Sequence, residues 1–553
     1  ELALRHERVE ILVRRRHHRR RPVVNPPGSR RAGILVPLFS IPSSRSWGIG
    51  EIGDLERLMS WLTAAGQRVL QLLPITEVSP GDASPYGSLS AMAIDPQYIT
   101  LDALEDFGAT GGEGALAPEE RVALDRARAA PAIDHRLVRD LKQAALRRAF
   151  AHFVSKEWAS GTARAAALRA FTAEQAWWLE DYALFRALHA RHDEKPWMEW
   201  PEPVRLRQPR VLEIEHRALG EEILFRQYLQ WVAGEQWAEA RARARACGIA
   251  VFGDLPFVVS ADSADVWARQ DEFLLEESVG APPDAFSETG QDWSLPPYRW
   301  DVVTTRDFSW LRDRVRRFDN LFDGCRVDHV VGFYRTFVRP PGGGAGRFSP
   351  ADEVSQLSLG ERALSALRST PMQIVAEDLG TGPDFVRESL ARQSIPGCKV
   401  FRWERQWHEP GQPFKDPIDY PAVALATSGT HDTESMSVWW EQAPLEERRA
   451  VLAIPSVRAR MSEEDRARAG DESALSPATR AILLEILFAS RSMLVILPIQ
   501  DVFGWSDRVN RPGTIGDHNW TWRLPWPSDR MSAEPVAIAV ANQLREWSQR
   551  YER

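Results

Sequence analysis

GCRVDHVVGF, residues 324–333, sets Arg326, Asp328 and His329 at one end of a short apolar segment. Burying charge is costly unless it is paired or used, so a strand of this kind predicts a site at its tip. Five further stretches repeat the design: RVLQLLPI (68–75) runs to Thr76 and Glu77, and GIAVFGDLPF (248–257) carries Asp254. MQIVAEDLG (372–380) carries Glu377 and Asp378, AVALATSGTHD (422–432) ends in His431 and Asp432, and MLVILPIQD (493–501) ends in Gln500 and Asp501. Each is an apolar run of strand length with its reactive residues at the C-terminal end.

Continuous apolar runs fit parallel strands covered on both faces, and parallel strands need crossover helices between them. DLERLMSWLTAAG (54–66) and ATRAILLEILFAS (478–490) supply the apolar spacing of such helices. The two architectures available are an open doubly wound sheet and a closed (β/α)8 TIM barrel. The barrel is favoured, because the carboxylates come from at least five strands and no glycine-rich phosphate loop follows the early ones. A long segment from about 103 to 247 breaks the pattern. It is rich in Ala, Arg and Glu at helical spacing, as in EERVALDRARAA, LVRDLKQAALRRAFAHFV and AEQAWWLEDYALFRALHARH. The expected fold is therefore a barrel spanning 32–553 with extended βα loops and a large helical insertion subdomain. Residues 1–31, with RRRHHRRRPVVNPPGSRR, read as an arginine-rich, solvated or partly ordered arm.

Composition narrows the function. A net charge of −8 over 553 residues gives no basic excess for binding nucleic acid, so no such partner is expected. No run reaches the ~18 apolar residues of a membrane span, so no membrane partner is expected either. Three scattered cysteines form neither a disulfide framework nor a zinc pattern, and the cytoplasm is the expected compartment.

On a barrel, Asp328, Glu377 and Asp432 converge on one mouth although they are far apart in the chain. Two carboxylates can split a glycosidic bond, one attacking the anomeric carbon while the other, protonated, donates to the leaving oxygen. Arg326 lies two residues before Asp328, so on a strand both side chains point the same way and can pair. A purely structural Arg326–Asp328 ion pair reads the same residues blandly. The two His-Asp neighbours also occur in metal-dependent phosphohydrolases, but those sites need further ligands on helices. Trp293, in a Gly- and Pro-flanked loop, suits sugar stacking, whereas Trp177 and Trp178 sit in a helix and are expected to pack. No metal or organic cofactor is expected, since no dedicated ligand cluster is present.

From about Gly33 to Leu524 the chain resembles the 4-α-glucanotransferases, the amylomaltase or disproportionating-enzyme family of the α-amylase superfamily. The blocks that carry the resemblance follow in order: GILVPLFSIPSSRSWGIGEIGDL, LLPITEVSPGDASPYGSLSAMAIDPQYI, GDLPFVVSADSADVW, GAPPDAFSETGQDWSLPPYRW, FDGCRVDHVVGF, VAEDLG, GTHDTES and NRPGTIGDHNWTWRL. The resemblance implies Asp328 as nucleophile, Glu377 as general acid/base and Asp432 as a third carboxylate that orients sugar hydroxyls. It further implies that Arg326, His329 and His431 contact the sugar or the nucleophile. Ser84 and Tyr86 would lie beside the cleavage point, Asp284 and Trp293 over the bound glucan, and Asn510 in a late substrate-contacting segment. The implied partners are α-1,4-glucans and malto-oligosaccharides, and the implied reaction is a retaining transfer to a sugar 4-hydroxyl. An α-1,4-glucan hydrolase of the same superfamily and a non-catalytic glucan-binding protein are the alternatives.

Overall fold

The structure, a computed structural model, describes residues 30–283, 290–342, 344–380, 382–514, 516 and 518–553. Eight parallel strands close into a barrel: β1 (Arg31–Leu35), β2 (Val69–Gln71), β3 (Ala250–Leu255), β4 (Gly324–Val327), β5 (Gln373–Ala376), β6 (Gly397–Val400), β7 (Ala424–Thr427) and β8 (Leu494–Pro498). Each neighbours the next, and β8 returns to β1 with Arg31 opposite Leu494. Six of the eight are the apolar runs picked out from the sequence. The other two are β1, which begins at Arg31 and so starts one residue inside the expected arm, and β6, whose GCKV is too short and polar to stand out.

Helices carry most of the rest, among them α1 (Asp54–Ala64), α2 (Pro118–Ala129), α3 (His135–Phe153), α4 (Ala163–Arg191), α5 (Gly220–Ala246), α6 (Ser309–Leu321), α7 (Glu353–Leu367), α8 (Asp384–Arg392), α9 (Pro477–Ala489) and α10 (Pro535–Arg550). In α1, Leu55, Leu58, Met59, Trp61 and Leu62 form the buried stripe. Gly66, at φ 70°, turns the chain out of the helix where a side chain would be strained. Helices α2 to α5 lie between β2 and β3, in the segment where the sequence predicts an insertion.

Helix α5 belongs to two layers at once. Its first half packs on the insertion, where the Phe225 ring lies tilted against Phe150 with 5.2 Å between centres and Gln230 Nε2 reaches the Tyr182 hydroxyl at 3.2 Å. Its second half packs on the barrel, where Trp237 Nε1 donates to the Leu321 carbonyl at 2.7 Å and Arg245 pairs with Asp323. A small antiparallel sheet, which the sequence did not announce, joins the loops after β3 and β4. It pairs Ser278–Ala281 with both Gln291–Asp292 and Thr336–Arg339, and the last of these with Arg347–Ser349. Trp178 is buried in α4 and Trp177 packs against the core, as expected of helix-borne tryptophans.

Candidate active site

Parallel register places Asp254 of β3 opposite Arg326 of β4, and Arg326 opposite Val375 of β5, two residues before Glu377. The guanidinium therefore lies among acids from three adjacent strands. Its Nη1 donates to both oxygens of the fully buried Asp254 at 2.9 and 2.8 Å and reaches Asp328 Oδ1 at 2.8 Å; its Nη2 stands 3.9 Å from Glu377 Oε2. Burial opposes its charge, but Asp254 and Asp328 outweigh that and hold it firmly protonated.

One cation among three carboxylates leaves an excess of negative charge. Burial first, and then the charge of Asp328, push Glu377 up to about 7 against the opposing pull of Arg326. Two backbone N–H groups also favour its ionised form: His329 N donates to Oε2 at 2.9 Å and Leu379 N to Oε1 at 2.8 Å. The first of these exists because His329 adopts a left-handed backbone, φ 44°, directly after Asp328. Such a conformation is uncommon for a residue with a side chain and is held by its surroundings. The imidazole is packed edge-on between Phe257 at 5.7 Å and Trp293 at 4.9 Å between ring centres. Burial, helped by Arg326 and Arg335, lowers the His329 pKa despite Asp328.

A second chain of contacts runs from Asp254 to the end of β7. The Tyr86 hydroxyl donates to Asp254 Oδ2 at 2.9 Å and lies 3.0 Å from His431 Nε2. Having spent its proton on Asp254, it accepts from His431, which places a proton on Nε2. That nitrogen also faces Asp432 Oδ2 at 3.3 Å, and Asp432 Oδ1 accepts from Asn510 Nδ2 at 2.6 Å. Burial opposes both charges, yet the pairing raises His431 and drives Asp432 well below the usual carboxylate range. Trp520 packs against the Tyr86 and His431 rings at 5.8 and 5.9 Å.

The structure thus gathers Asp328, Glu377, Asp432, Arg326, His329, His431, Tyr86, Trp293 and Asn510 into one mouth. Ser84 is half-buried beside it, its Oγ accepting from Tyr86 N at 3.4 Å. With Asp82, His135, Arg139, Asn510 and Trp520 it lines a groove of about 730 Å³ that leads away from Asp432, a size typical of ligand clefts. Asp284 lies outside the described residues.

Three strand-end acids do not join the site. Glu77 is taken up by Tyr182 and Arg186 of α4, and Asp378 accepts from Cys398 N at 2.8 Å. Asp501 accepts from Ser428 Oγ at 2.5 Å and Met436 N at 2.6 Å. Sequence reasoning named Asp254 only as one strand-end acid among several, although the same rule would have placed it in the site. Trp520 was not singled out among 22 tryptophans, although it lies in the NRPGTIGDHNWTWRL block that carries the resemblance. Among the described residues no three His, Cys, Asp or Glu side chains are grouped to hold a metal ion, and no helix is long and apolar enough to cross a membrane.

Comparison with known proteins agrees with this geometry. Residues 36–529 match a family model described as 4-alpha-glucanotransferase. The chain is 35% identical to the 4-alpha-glucanotransferase of Thermus thermophilus over 512 residues, covering 89% of this chain and 94% of that protein. It is 32% identical to the enzyme of that name from Chlamydia pneumoniae, over 92% of each. Among solved structures, the amylomaltase of Streptococcus agalactiae in complex with acarbose superposes with a TM-score of 0.78 at 27% identity, over 95% of this chain and 99% of that one.

Proposed function

This chain belongs to the 4-alpha-glucanotransferase family, and from that premise we propose how its carboxylates divide the transfer between them. The protein is a glycosyl-transferring enzyme that acts on α-1,4-glucans. The observation that carries the division of roles is the sharing of Arg326. Asp328 makes the direct ion pair, while Glu377 stands farther off and is held at about 7. One carboxylate beside one carboxyl that still carries its proton near neutral pH is the pairing that a double displacement needs.

In the first half, an oxygen of Asp328 attacks the anomeric carbon of a bound glucosyl unit, the bond from that carbon to the 4-oxygen of the next sugar breaks, and Glu377 gives that oxygen its proton. In the second, the 4-hydroxyl of an incoming glucan loses its proton to the Glu377 carboxylate and attacks the same carbon, releasing Asp328. One α-1,4 bond is broken and an equivalent one is made. Asp432, ionised and fixed by His431 and Asn510, accepts hydrogen bonds from hydroxyls of the reacting sugar. Tyr86 and Trp293 supply faces for sugars, and Ser84 and Asn510 line the groove for the donor chain. Asp284, outside the described residues, is assigned to contact with the bound glucan on the family resemblance alone. His329, neutral and with no hydrogen bond to its ring nitrogens among the described residues, offers one donor and one acceptor to substrate. Malto-oligosaccharides are the proposed donors and acceptors, and free thiols at Cys247, Cys325 and Cys398 fit the reducing cytoplasm.

Incubation with maltotriose tests the reading. Transfer yields glucose together with maltopentaose and longer chains at nearly constant total reducing ends. Reducing ends that climb with turnover, with no product longer than the substrate, would refute it in favour of hydrolysis.

A further inference from the structure

We propose that Trp293 is a positioning residue for Glu377 and acts through His329, so that the loop over the cleft sets how firmly the general acid holds its proton. The inference rests on the assignment of Glu377 as acid/base and adds a link to it. Three contacts compose that link. The Trp293 indole lies edge-on to the His329 imidazole, with 4.9 Å between centres and 81° between planes. His329 holds a left-handed backbone that a side-chain-bearing residue keeps only when its neighbours enforce it. In that backbone its N–H points at Glu377 Oε2, 2.9 Å away.

The partners of His329 are unequal in rigidity. Phe257, on its other side, is buried and locked against Phe333 at 4.8 Å and Tyr298 at 5.9 Å. Trp293 is half-buried, on a short strand-edge segment whose neighbours Gln291, Asp292 and Ser294 are exposed. Its N–H donates to the Val279 carbonyl at 2.9 Å, its flanks are held by Val279 N to the Leu295 carbonyl at 2.7 Å and by Asp292 opposite Gly280, and its Nε1 donates to Gln291 Oε1 at 3.1 Å. The imidazole itself makes no hydrogen bond to the protein among the described residues; it is held by packing against Phe257, Trp293 and the Gly332 backbone, whose N–H also donates to the His329 carbonyl at 2.8 Å. Of the two aromatic walls against His329, only the one carried by Trp293 stands on a segment whose neighbours are exposed.

The chemical consequence has a definite sign. Glu377 is faced by Arg326 and Asp328 from β4, by the Cys398 thiol from β6, and by the two backbone N–H groups of His329 and Leu379. His329 is faced by Asp328, Arg326 and Arg335. Removing the indole leaves every charge in place, together with the flanking bonds from Asp328 N to the Leu255 carbonyl and from Val330 N to the Glu377 carbonyl. It takes away one wall of the imidazole, so that the left-handed residue between those bonds relaxes and its N–H draws back from Glu377. The Glu377 carboxylate then loses one of its two backbone donors, and its proton is held more tightly.

Two readouts on the full-length protein test this. In Trp293→Ala the His329 amide should exchange with deuterium about tenfold faster than in wild type. The basic limb of kcat/KM for maltotriose transfer should move up by about half a pH unit or more. Trp293→Phe, which keeps an aromatic edge against the imidazole, should restore both. Unchanged exchange at His329, or faster exchange with an unmoved limb, would overturn the proposal and leave Trp293 as a sugar-stacking residue that alters KM alone. The Glu377 assignment is checked separately with Glu377→Gln on an aryl maltoside whose leaving group needs no proton. If that variant loses as much on the aryl donor as on maltotriose, the acid assignment fails, whereas the amide exchange still reports whether Trp293 holds His329.

Discussion

Replacing Glu377 by Gln should stabilise the protein in a pH-dependent way while disabling it. In the folded chain this carboxyl is raised from its ordinary 4.5 to about 7, burial being the largest cause. Below pH 4 it is protonated whether the chain is folded or not, and its ionisation costs folding nothing. As pH rises past 4.5 the unfolded chain ionises first, and the folded state falls behind until it too ionises near 7. At 1.36 kcal/mol per pH unit, that interval costs about 3 kcal/mol once pH exceeds 7. Glutamine does not titrate, so its advantage over wild type should grow from about 1 kcal/mol at pH 5 to about 3 kcal/mol at pH 8. A fixed loss is superimposed, because the amide NH2 must face one of the N–H donors at His329 or Leu379, and a misplaced donor of that kind costs about 1–3 kcal/mol. The change with pH is therefore the informative quantity. With an unfolding entropy of about 2.1 cal/mol/K per residue, it corresponds to a difference in Tm of about 2 °C between the two pH values. Calorimetry of both proteins at constant ionic strength measures it. A gap independent of pH would show that Glu377 is not a raised carboxyl, and the assignment of the acid would fail with it. Activity should show the same group from the other side: kcat/KM for natural donors declines above pH 7, and Glu377→Gln loses roughly 10²–10⁴-fold on them, with a far smaller loss on activated donors.

Asp328→Asn should abolish turnover on natural and activated donors alike, and mass spectrometry should find no glycosyl adduct; residual activity on aryl maltosides would point to another nucleophile. Tyr86→Phe leaves Asp254 and His431 without their shared hydroxyl and should lower kcat/KM by about 10–100-fold, with unchanged kinetics refuting the relay. Exhaustive chelation should leave activity intact, and a loss reversed by one divalent ion would overturn the metal-free reading. A chain starting at Arg30 should fold and work. One starting at Gly33 lacks the first residues of β1, including the bond from Arg31 N to the Met493 carbonyl at 2.9 Å and the grip of Arg30 Nη2 on the Ser490 carbonyl, and should melt lower; equal Tm values would show that those contacts are idle.

The barrel was legible because most of its strands are buried on both faces and so read as unbroken apolar runs. β6 escaped notice because four residues containing Lys399 make no such run, and β1 because it adjoins the arginine-rich arm. Asp328, Glu377 and Asp432 were legible as strand-end acids, but that rule cannot separate them from Glu77, Asp378 and Asp501. What distinguishes the two groups is the partner that meets each acid: Asp328 and Asp432 have Arg326 and His431 beside them in the sequence, whereas Glu77, Asp378 and Asp501 are taken up by partners distant in the chain, Arg186, the Cys398 amide and the Met436 amide. Such partners are set by tertiary packing rather than local sequence. The small sheet from Ser278–Ala281 to Arg347–Ser349 was hidden for the same reason, since strands of two to four residues acquire their pairing only from the loops that bring them together.

Helix α5 deserves a mechanical reading. At 1.5 Å per residue its 27 residues form a rod of about 40 Å, clamped at one end by Phe150 and Tyr182 of the insertion and at the other by Leu321 and Asp323 of the barrel. Helix α3, whose His135 and Arg139 line the groove beside Ser84, shares a rigid member with the wall that carries β3. The insertion therefore cannot be excised or exchanged as a cassette: removing about 103–247 also removes α5, whose second half packs on the barrel. Groove and barrel are linked through one helix: a change in α3 bears on α5, which holds Asp323 and, through its carboxylate on Val251 N at 3.0 Å, the strand that carries Asp254.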